Sequence, residues 1–242
     1  MLIANRHVFI TGAGKRLGRA ITDALIPHRI RLSAHYRTSA AEAADAARAA
    51  ERAGGRAHTV TADLANVEEL RAAVRAAEAR FGAIDILVNC ASDFFPTPLF
   101  EVTEAQWDHF LDVNLKGQFF LAQAAATRMQ EKGGLILNLA DVNGTKPMKN
   151  FTPYVISKAG LVMMTRNLAK ELAPKIRVNA ISPGPVLLPE NYTEAQRQRS
   201  IDRTLLKRLG SPRDIAEAAL FLIENDYING VELAVDGGRS LA

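Results

Sequence analysis

Residues 6–18 read Arg-His-Val-Phe-Ile-Thr-Gly-Ala-Gly-Lys-Arg-Leu-Gly, and this stretch decides the fold. Arg6 to Thr11 has the pattern of a short apolar strand, and the glycine turn from Gly12 to Gly18 leads into a helical run that ends near Leu25. A strand, a glycine turn and a helix in this order present backbone N–H groups and a helix N-terminus to a phosphate. The stretch therefore predicts the first unit of a nucleotide-binding α/β domain.

Strand and helix continue to alternate along the rest of the chain. Strands are predicted at 30–36, 56–62, 84–90, 135–139, 176–181 and 231–235, and helices at 39–53, 66–81, 103–130, 153–173 and 212–223. The fourth helix opens with a capping-box pattern, Thr103-Glu-Ala-Gln106. The alternation predicts a single Rossmann-type, doubly wound parallel sheet of about seven strands with helices on both faces.

No shift in composition and no internal repeat divides the sequence. We therefore expect residues 1–242 to form one domain. The segment 183–207 contains three prolines and is too long for a simple connector in a compact domain. It is predicted to be an irregular loop that covers a substrate site.

The composition narrows the classes of protein to consider. The net charge of +4 is modest, and no cluster of Lys and Arg with interleaved aromatic residues indicates a nucleic-acid partner. Cys90 is the only cysteine, so no internal disulfide can form and a reducing compartment fits. The first strand follows Met1 too closely for a signal peptide, and no apolar run approaches the length of a membrane span. We expect a cytoplasmic protein with no membrane, nucleic-acid or metal partner.

Tyr154 and Lys158 form the first candidate catalytic pair. They are four residues apart, so they share one face of the predicted fifth helix. A buried ammonium beside a phenol is expected to lower the phenol pKa from about 10, which would give a proton donor near neutral pH. In isolation, a Tyr and a Lys at this spacing usually lie on an ordinary helix and have no catalytic role. Here the pair follows an apolar strand in a chain that opens with a nucleotide-type turn, which favours catalysis.

These motifs together resemble the short-chain dehydrogenase/reductase family over essentially the whole chain. The resemblance implies a nicotinamide cofactor and a catalytic set of Asn114, Asp141, Tyr154 and Lys158. Cofactor contacts are expected at the carboxyl ends of the strands. The implied cofactor-binding residues are Gly12, Lys15, Arg16, Leu17, Gly18, His35, Tyr36, Arg37, Ser39, Asp63, Leu64, Asn89, Ala91, Ser92, Tyr154, Lys158, Pro183, Gly184 and Val186.

Several departures from the family pattern resemble one subfamily, the pteridine reductases. Arg16 replaces the middle glycine of the turn, and Asp141 replaces a serine thirteen residues before Tyr154. The segment after the fourth strand has Ser92 and Phe94, where that subfamily carries a serine and an aromatic residue that stacks on the pterin. Cys90 departs from both patterns.

The chemistry of Asp141 supports this resemblance independently. A serine hydroxyl can donate to a ketone oxygen, whereas an ionised aspartate can only accept hydrogen bonds. Asp141 therefore suits a substrate that bears N–H groups or a ring nitrogen that needs a proton, such as a reduced pterin or dihydrofolate. The alternative is an aspartate that merely caps a turn.

The substrate pocket is predicted from the positions around Asp141. Phe94 is the expected aromatic plate, and Phe95 is assigned to core packing. Arg16 is expected near the cofactor phosphates. The predicted substrate-binding residues are Arg16, Ser92, Phe94, Asp141, Met148, Phe151, Tyr154, Pro185 and Leu188.

The end of the second strand predicts the cofactor. NAD-selective sites place a carboxylate there for the ribose 2′-hydroxyl. The sequence has His35, Tyr36, Arg37 and Ser39 instead, which favours the 2′-phosphate of NADPH. We therefore expect an NADPH-dependent pteridine reductase, and the resemblance implies a homotetramer formed through the fourth and fifth helices. The alternatives are a carbonyl reductase, for example on 3-oxoacyl thioesters, and a catalytically silent nucleotide sensor.

Overall fold

The computed structural model describes residues Met1 to Ala242 and contains one seven-stranded parallel sheet. The strands lie in the order β3-β2-β1-β4-β5-β6-β7, and every neighbouring pair is parallel. Their bounds are β1 (His7–Thr11), β2 (Arg31–Tyr36), β3 (Arg56–Thr61), β4 (Ile86–Asn89), β5 (Gly134–Leu139), β6 (Ile176–Pro183) and β7 (Glu232–Val235). The central strands β1, β4 and β5 are buried along their whole length, because both faces of the sheet are covered.

Eight α-helices connect or flank the strands. They are α1 (Arg16–Leu25), α2 (Ala40–Arg52), α3 (Val67–Phe81), α4 (Glu104–Leu111), α5 (Gly117–Lys132), α6 (Thr152–Leu172), α7 (Glu194–Asp202) and α8 (Pro212–Glu224). Helices α1, α2 and α8 pack into one hydrophobic core, and α3, α5 and α6 pack into another. Along β1, Val8 and Ile10 belong to the first core and Phe9 to the second, so the cores lie on opposite faces. The predicted doubly wound fold is confirmed.

The order of the strands reverses beside β1. From β1 the chain builds β2 and β3 on one side, and then crosses to build β4 to β7 on the other side. In open parallel sheets, ligands bind beyond the carboxyl ends of the strands at such a reversal. The glycine turn after β1 and the loop after β4 therefore border a crevice. No helix in the structure has the length and the apolar character needed to cross a membrane.

The predicted helix 103–130 is wrong as a single element. Thr103 and Gln106 do form the expected capping box, but a π-helical turn, Asp112–Lys116, separates α4 from α5. At Gly117, a Cβ atom would collide with the carbonyl of Leu64, so this segment approaches the loop after β3 more closely than another residue would allow. π-Helical turns of this kind often mark functional positions.

The segment 183–207 is also more ordered than predicted. β6 extends to Pro183, and α7 occupies Glu194–Asp202. The helix begins at a second capping box, in which Thr193 accepts from the Gln196 backbone and Gln196 accepts from the Thr193 backbone. The prolines indicated an irregular loop, and this local cap outweighs them in the second half of the segment.

Candidate active site

Two adjoining cavities open at the carboxyl ends of the strands. The larger has a volume of about 1000 Å³, and the smaller about 140 Å³. Predicted site residues that line the larger cavity are Gly12, Lys15, Arg16, Leu17, Gly18, Ser39, Ala91, Ser92, Phe94, Asp141, Met148, Tyr154, Lys158, Pro183, Gly184, Pro185, Val186 and Leu188. Those that line the smaller cavity are Gly12, His35, Tyr36, Arg37, Ser39, Leu64, Ala91 and Ser92. Asp63, Asn89, Asn114 and Phe151 line neither cavity.

The glycine turn has the features of a phosphate cradle. Gly12 has a φ of +67°, and a Cβ atom at Gly18 would collide with the Gly12 carbonyl. Helix α1, which begins at Arg16, has no side-chain cap and no acidic residue in its first turn. The first N–H groups of a helix have no partner within it, and the helix dipole favours an anion there. The residues present therefore fit the phosphates of a dinucleotide.

Arg16 lies beside the substrate side of the cavity rather than beside Arg37. Its guanidinium Nη2 donates to the carbonyl of Leu187 at 2.8 Å, and it does not line the smaller cavity. Of the two positions considered for Arg16, the structure therefore shows the one at the glycine turn and not the one at the end of β2 beside Arg37. The reason is that its backbone, with a φ of +49°, starts α1 and its side chain crosses to the segment after β6.

Tyr154 and Asp141 meet at the floor of the larger cavity. The Tyr154 hydroxyl donates to Asp141 Oδ2 at 2.6 Å. Asp141 Oδ1 accepts from the backbone N–H and from the side-chain Nδ2 of Asn143, both at 2.7 Å. Asp141 thus both caps the turn at Val142–Gly144 and contacts the phenol, so the two alternatives for this residue coexist.

Lys158 lies beneath this pair without touching either side chain. It is 2% exposed, and its Nζ donates to the Leu139 carbonyl at 2.8 Å. The same Nζ lies 5.9 Å from the centre of the Tyr154 ring. Lys158 is therefore fixed by the end of β5, at a position from which its charge acts on the cavity floor.

The protonation of these groups corrects one expectation. The pKa of Tyr154 is raised well above its ordinary value, first by burial and then by the charge and hydrogen bond of Asp141. The expected lowering by Lys158 is therefore wrong: the closer carboxylate and burial prevail. Burial lowers the pKa of Lys158 to about 8, against the opposing effect of Asp141. The floor thus holds a protonated phenol whose hydroxyl donates to a carboxylate.

Asn114 and Cys90 lie near the cavity floor, and their side chains make no hydrogen bond to Tyr154 or Asp141. Asn114 pairs with both backbone polar groups of Asp93, and its Nδ2 donates to Ser157 Oγ at 3.3 Å. It makes no direct hydrogen bond to Lys158. Cys90 is half-buried and lines the larger cavity, and desolvation raises the pKa of its thiol to about 12, so it is a poor nucleophile.

Phe94 forms the aromatic wall of the cavity. Its ring is 40% exposed, stacks on Phe151 with centroids 4.6 Å apart, and meets Tyr154 edge-on at 4.8 Å. Phe151 lies behind Phe94 and does not reach the cavity, so its predicted place in the lining is wrong. Phe95 packs instead on Phe110 with centroids 4.4 Å apart, in agreement with its assignment to packing.

The end of β2 forms part of the smaller cavity. His35 is fully buried, its Nε2 pairs with the Ala62 carbonyl at 3.0 Å, and burial lowers its pKa to about 4. It is therefore neutral near pH 7 and brings no positive charge to a phosphate, contrary to expectation. Arg37 does border the cavity, where its Nη1 lies 3.6 Å from Asp93 Oδ2 and 3.9 Å from Asp63 Oδ1.

Two predicted cofactor contacts are structural instead. Asn89 is fully buried at the end of β4, where its Nδ2 donates to Asn138 Oδ1 at 2.9 Å across the sheet. Asp63 turns its carboxylate back to the N–H of Ala65. Neither side chain reaches a cavity, because the nearer hydrogen-bonding partners lie in the sheet and in the turn.

The sequence analysis missed several of the residues that line the two cavities. Asp93, beside Phe94, accepts from His109 Nε2 at 2.8 Å when that ring nitrogen carries its proton, and borders both cavities. Other missed residues come from the segment after β6 and from the C-terminal turn, and include Tyr192, Gln196, Arg199, Ser200, Arg203 and Arg239. The capping-box pattern at Thr193 was the available signal for a helix that could present α7 side chains.

Comparisons with known proteins agree with the fold. A family model described as enoyl-(acyl carrier protein) reductase matches residues 12–240. The chain is 34% identical over 248 residues to 3β-hydroxysteroid dehydrogenase 1 of Eggerthella lenta, with 99% of this chain and 95% of the relative covered.

Solved structures show the same similarity. A protein described as a short-chain alcohol dehydrogenase from Sinorhizobium meliloti is 34% identical, with a TM-score of 0.94 and 100% of both chains covered. FolM alternative dihydrofolate reductase 1 from Brucella canis, solved in complex with NADP, is also 34% identical. It has a TM-score of 0.90, and the match covers 100% of this chain and 97% of that one.

Proposed function

The chain belongs to the short-chain dehydrogenase/reductase family of oxidoreductases, and from this premise we propose that it is an NADPH-dependent pteridine reductase. The proposed reaction reduces a C=N bond of a dihydropterin or of dihydrofolate. The observation that carries the proposal is the carboxylate of Asp141, 2.6 Å from the Tyr154 hydroxyl, in a cavity with an aromatic wall at Phe94.

A carboxylate at this position matches an aminopyrimidine edge better than a ketone. An ionised carboxylate offers about four lone-pair sites and no donor. Asn143 occupies two sites on Oδ1, and Tyr154 occupies one on Oδ2. The remaining site on Oδ2 can accept an N–H or NH₂ group of a substrate, whereas a ketone oxygen would find no donor on Asp141.

Bound NADPH would supply the hydride. The residues of the chain would hold the reactants and the proton. Tyr154 stays protonated because of its raised pKa, so it can donate to a ring nitrogen and recover a proton through Asp141 or solvent. Lys158 keeps a positive charge below about pH 8. This charge would stabilise the negative charge that develops on the substrate as it accepts the hydride.

The choice of NADPH rests on the end of β2. Arg37 borders the smaller cavity and no carboxylate occupies positions 36–39, so this strand end suits a 2′-phosphate. The similar FolM structure was solved with NADP. The N-terminus of α1 would hold the pyrophosphate.

Three further expectations belong to the same proposal. The segment 183–207 would cover the substrate, the chain would assemble as a homotetramer, and it would work in the cytoplasm. The support for the first is the Arg16 contact with Leu187, which already joins this segment to the cofactor turn.

A carbonyl reductase is the second candidate, because the similar protein from Eggerthella lenta is a hydroxysteroid dehydrogenase. Initial rates with NADPH on dihydrobiopterin, dihydrofolate, a 3-oxoacyl thioester and a steroid ketone separate the candidates. We expect turnover of the two pterin-type substrates and little with the ketones. Efficient ketone reduction without pterin turnover would select the carbonyl reductase, and no turnover of any substrate would select the silent nucleotide sensor.

A further inference from the structure

Three arginines converge on the larger cavity without a partner. Arg199 lies on α7, Arg203 follows the last residue of α7, and Arg239 lies in the turn after β7. None of the three guanidinium groups takes part in a hydrogen bond or an ion pair within the chain, whereas Arg19 and Arg213, on other surfaces, each pair with a carboxylate. The cavity wall formed by α7 and the C-terminal turn is therefore positively charged.

The repulsion within this wall is not balanced by a carboxylate. Burial lowers the pKa of Arg239, and the nearby charge of Arg203 lowers it further, so the two groups are close enough to repel each other. Only two carboxylates line the cavity. Asp141 is engaged by Tyr154 and Asn143, and the Asp93 carboxylate by His109 and Arg37. An anion from outside the chain would remove this repulsion.

The cofactor phosphates do not explain the positive wall. The phosphate cradle is at the N-terminus of α1, and Arg37, which would meet a 2′-phosphate, borders the smaller cavity. The three arginines are absent from that smaller cavity and come from elements that follow β6. They share the larger cavity with Asp141, Tyr154 and Phe94 and also with the cradle, but none of them belongs to the glycine turn or to α1.

We propose that the substrate is a flat heterocycle with an anionic tail, whose ring lies at Asp141 and Phe94 and whose tail pairs with Arg199, Arg203 and Arg239. This inference rests on the proposed pteridine reductase function and narrows its substrate class. The cavity of about 1000 Å³ takes in both the phosphate cradle and the residues around Asp141, so cofactor and substrate would share it. Guanidinium groups bind carboxylates and phosphates through paired N–H donors, so a glutamyl tail and a phosphate ester share this chemistry.

The test compares four probes: dihydrobiopterin, which is neutral, dihydrofolate with one and with three glutamates, and dihydroneopterin monophosphate. The variants are Arg199→Gln and Arg239→Gln, which lie on different elements, so failure of one to fold leaves the other. Arg197→Gln is the matched control, because Arg197 is exposed on the same helix, has no ion pair and does not line the cavity.

We expect the native protein to prefer an anionic probe over dihydrobiopterin by about tenfold or more in kcat/KM, with the difference mainly in KM. Each of the two variants should reduce that preference by about threefold to tenfold, and Arg197→Gln should leave it unchanged. A preference for the glutamylated probes identifies a carboxylate tail, and a preference for the phosphate ester identifies a phosphate tail. Equal kcat/KM on neutral and anionic probes, or a preference that survives both variants, would overturn the inference while leaving the pteridine reductase function intact. Absence of turnover on all four probes would instead reject the function itself.

Discussion

Replacing Asp141 with serine separates pterin reduction from ordinary carbonyl reduction. The substitution removes the carboxylate that accepts from Tyr154 at 2.6 Å and from Asn143 at 2.7 Å. The serine hydroxyl can still accept from the Asn143 backbone, so the turn after β5 should persist. A hydrogen bond to a charged group contributes about 1.5–3 kcal/mol, which alone corresponds to roughly a 10- to 150-fold effect.

Without the carboxylate, Tyr154 loses the hydrogen bond that orients it, and the site also loses a group that could transfer a proton. Removing a positioned proton-transfer group typically lowers the rate by roughly 10²–10⁴-fold. We therefore expect Asp141→Ser to reduce kcat/KM for dihydrobiopterin within that range, while the dissociation constant of NADPH changes little. Since a serine hydroxyl can donate to a carbonyl oxygen, we expect weak activity on a simple ketone in this variant and not in Asp141→Ala.

The same substitution has a signature in the pH profile. Asp141 raises the pKa of both Tyr154 and Lys158, because its negative charge favours their protonated forms. Lys158 titrates at about pH 8 with the carboxylate present. Without it, Lys158 should lose its proton at a lower pH, so the alkaline limb of kcat/KM should begin earlier in Asp141→Ser.

The assay is NADPH oxidation followed at 340 nm across pH, with circular dichroism and NADPH titration as controls for folding and cofactor binding. Asp141→Asn, which keeps the shape of the side chain and removes the charge, is the companion variant. If both variants keep full pterin turnover and an unchanged alkaline limb, Asp141 is only a turn residue. The argument from the carboxylate to the substrate then fails.

Four other outcomes follow from the structure. NADPH should be preferred over NADH by at least about tenfold, or roughly 1.4 kcal/mol, and Arg37→Glu should erode that ratio in initial-rate measurements; equal use of both cofactors by the native protein contradicts the assignment. Phe94→Ala should weaken pterin binding by about 1–2 kcal/mol with a smaller effect on NADPH, and an unchanged fluorescence titration in the folded variant would make Phe94 a packing residue. Backbone amides of residues 183–207 should exchange more slowly when NADPH and a pterin are bound, and indifference to both ligands would reject a covering role. Burial lowers the pKa of His7 and of His35 to about 4, whereas a histidine in the unfolded chain keeps the ordinary pKa of about 6.5. The free energy of unfolding should therefore fall by up to about 3 kcal/mol for each histidine as pH drops from 6.5 to 4. Urea titrations that show no such loss would contradict this.

The elements of the sheet were predictable because their signals are local. Apolar runs separated by amphipathic helices specify a parallel sheet, and the turn after β1 marks the crevice. The break between α4 and α5 was not predictable from local signals, and it lies beside a close approach of Gly117 to the Leu64 carbonyl, a contact between segments far apart in sequence. The propensity of the residues alone favours one continuous helix.

Site residues were harder to assign than elements, because the same strand end can face a cavity or the sheet. Asn89 was assigned to the cofactor from its position after a strand, yet it pairs with Asn138 at the matching position of β5. His35 was assigned for its charge, which burial removes. Tyr154 and Asp141 were brought together as expected, because their spacing spans one strand end and one helix start, both of which are fixed by strong local patterns.

Arg16 connects the two halves of the candidate site. Its φ of +49° is a left-handed conformation that costs a residue with a side chain about 1–2 kcal/mol, and glycine would avoid this cost. Glycine would also remove the guanidinium that donates to Leu187 at 2.8 Å. The arginine therefore exchanges local backbone stability for a contact between the turn that fits the cofactor phosphates and the segment that lines the substrate cavity. A ligand that moved either the glycine turn or the segment after β6 would change the free energy of this hydrogen bond. By linkage, binding at one of the two places would then change the affinity at the other by the same factor. We therefore expect cofactor binding and closure over the substrate to be coupled through this one side chain, which would account for an arginine at a backbone position that suits glycine.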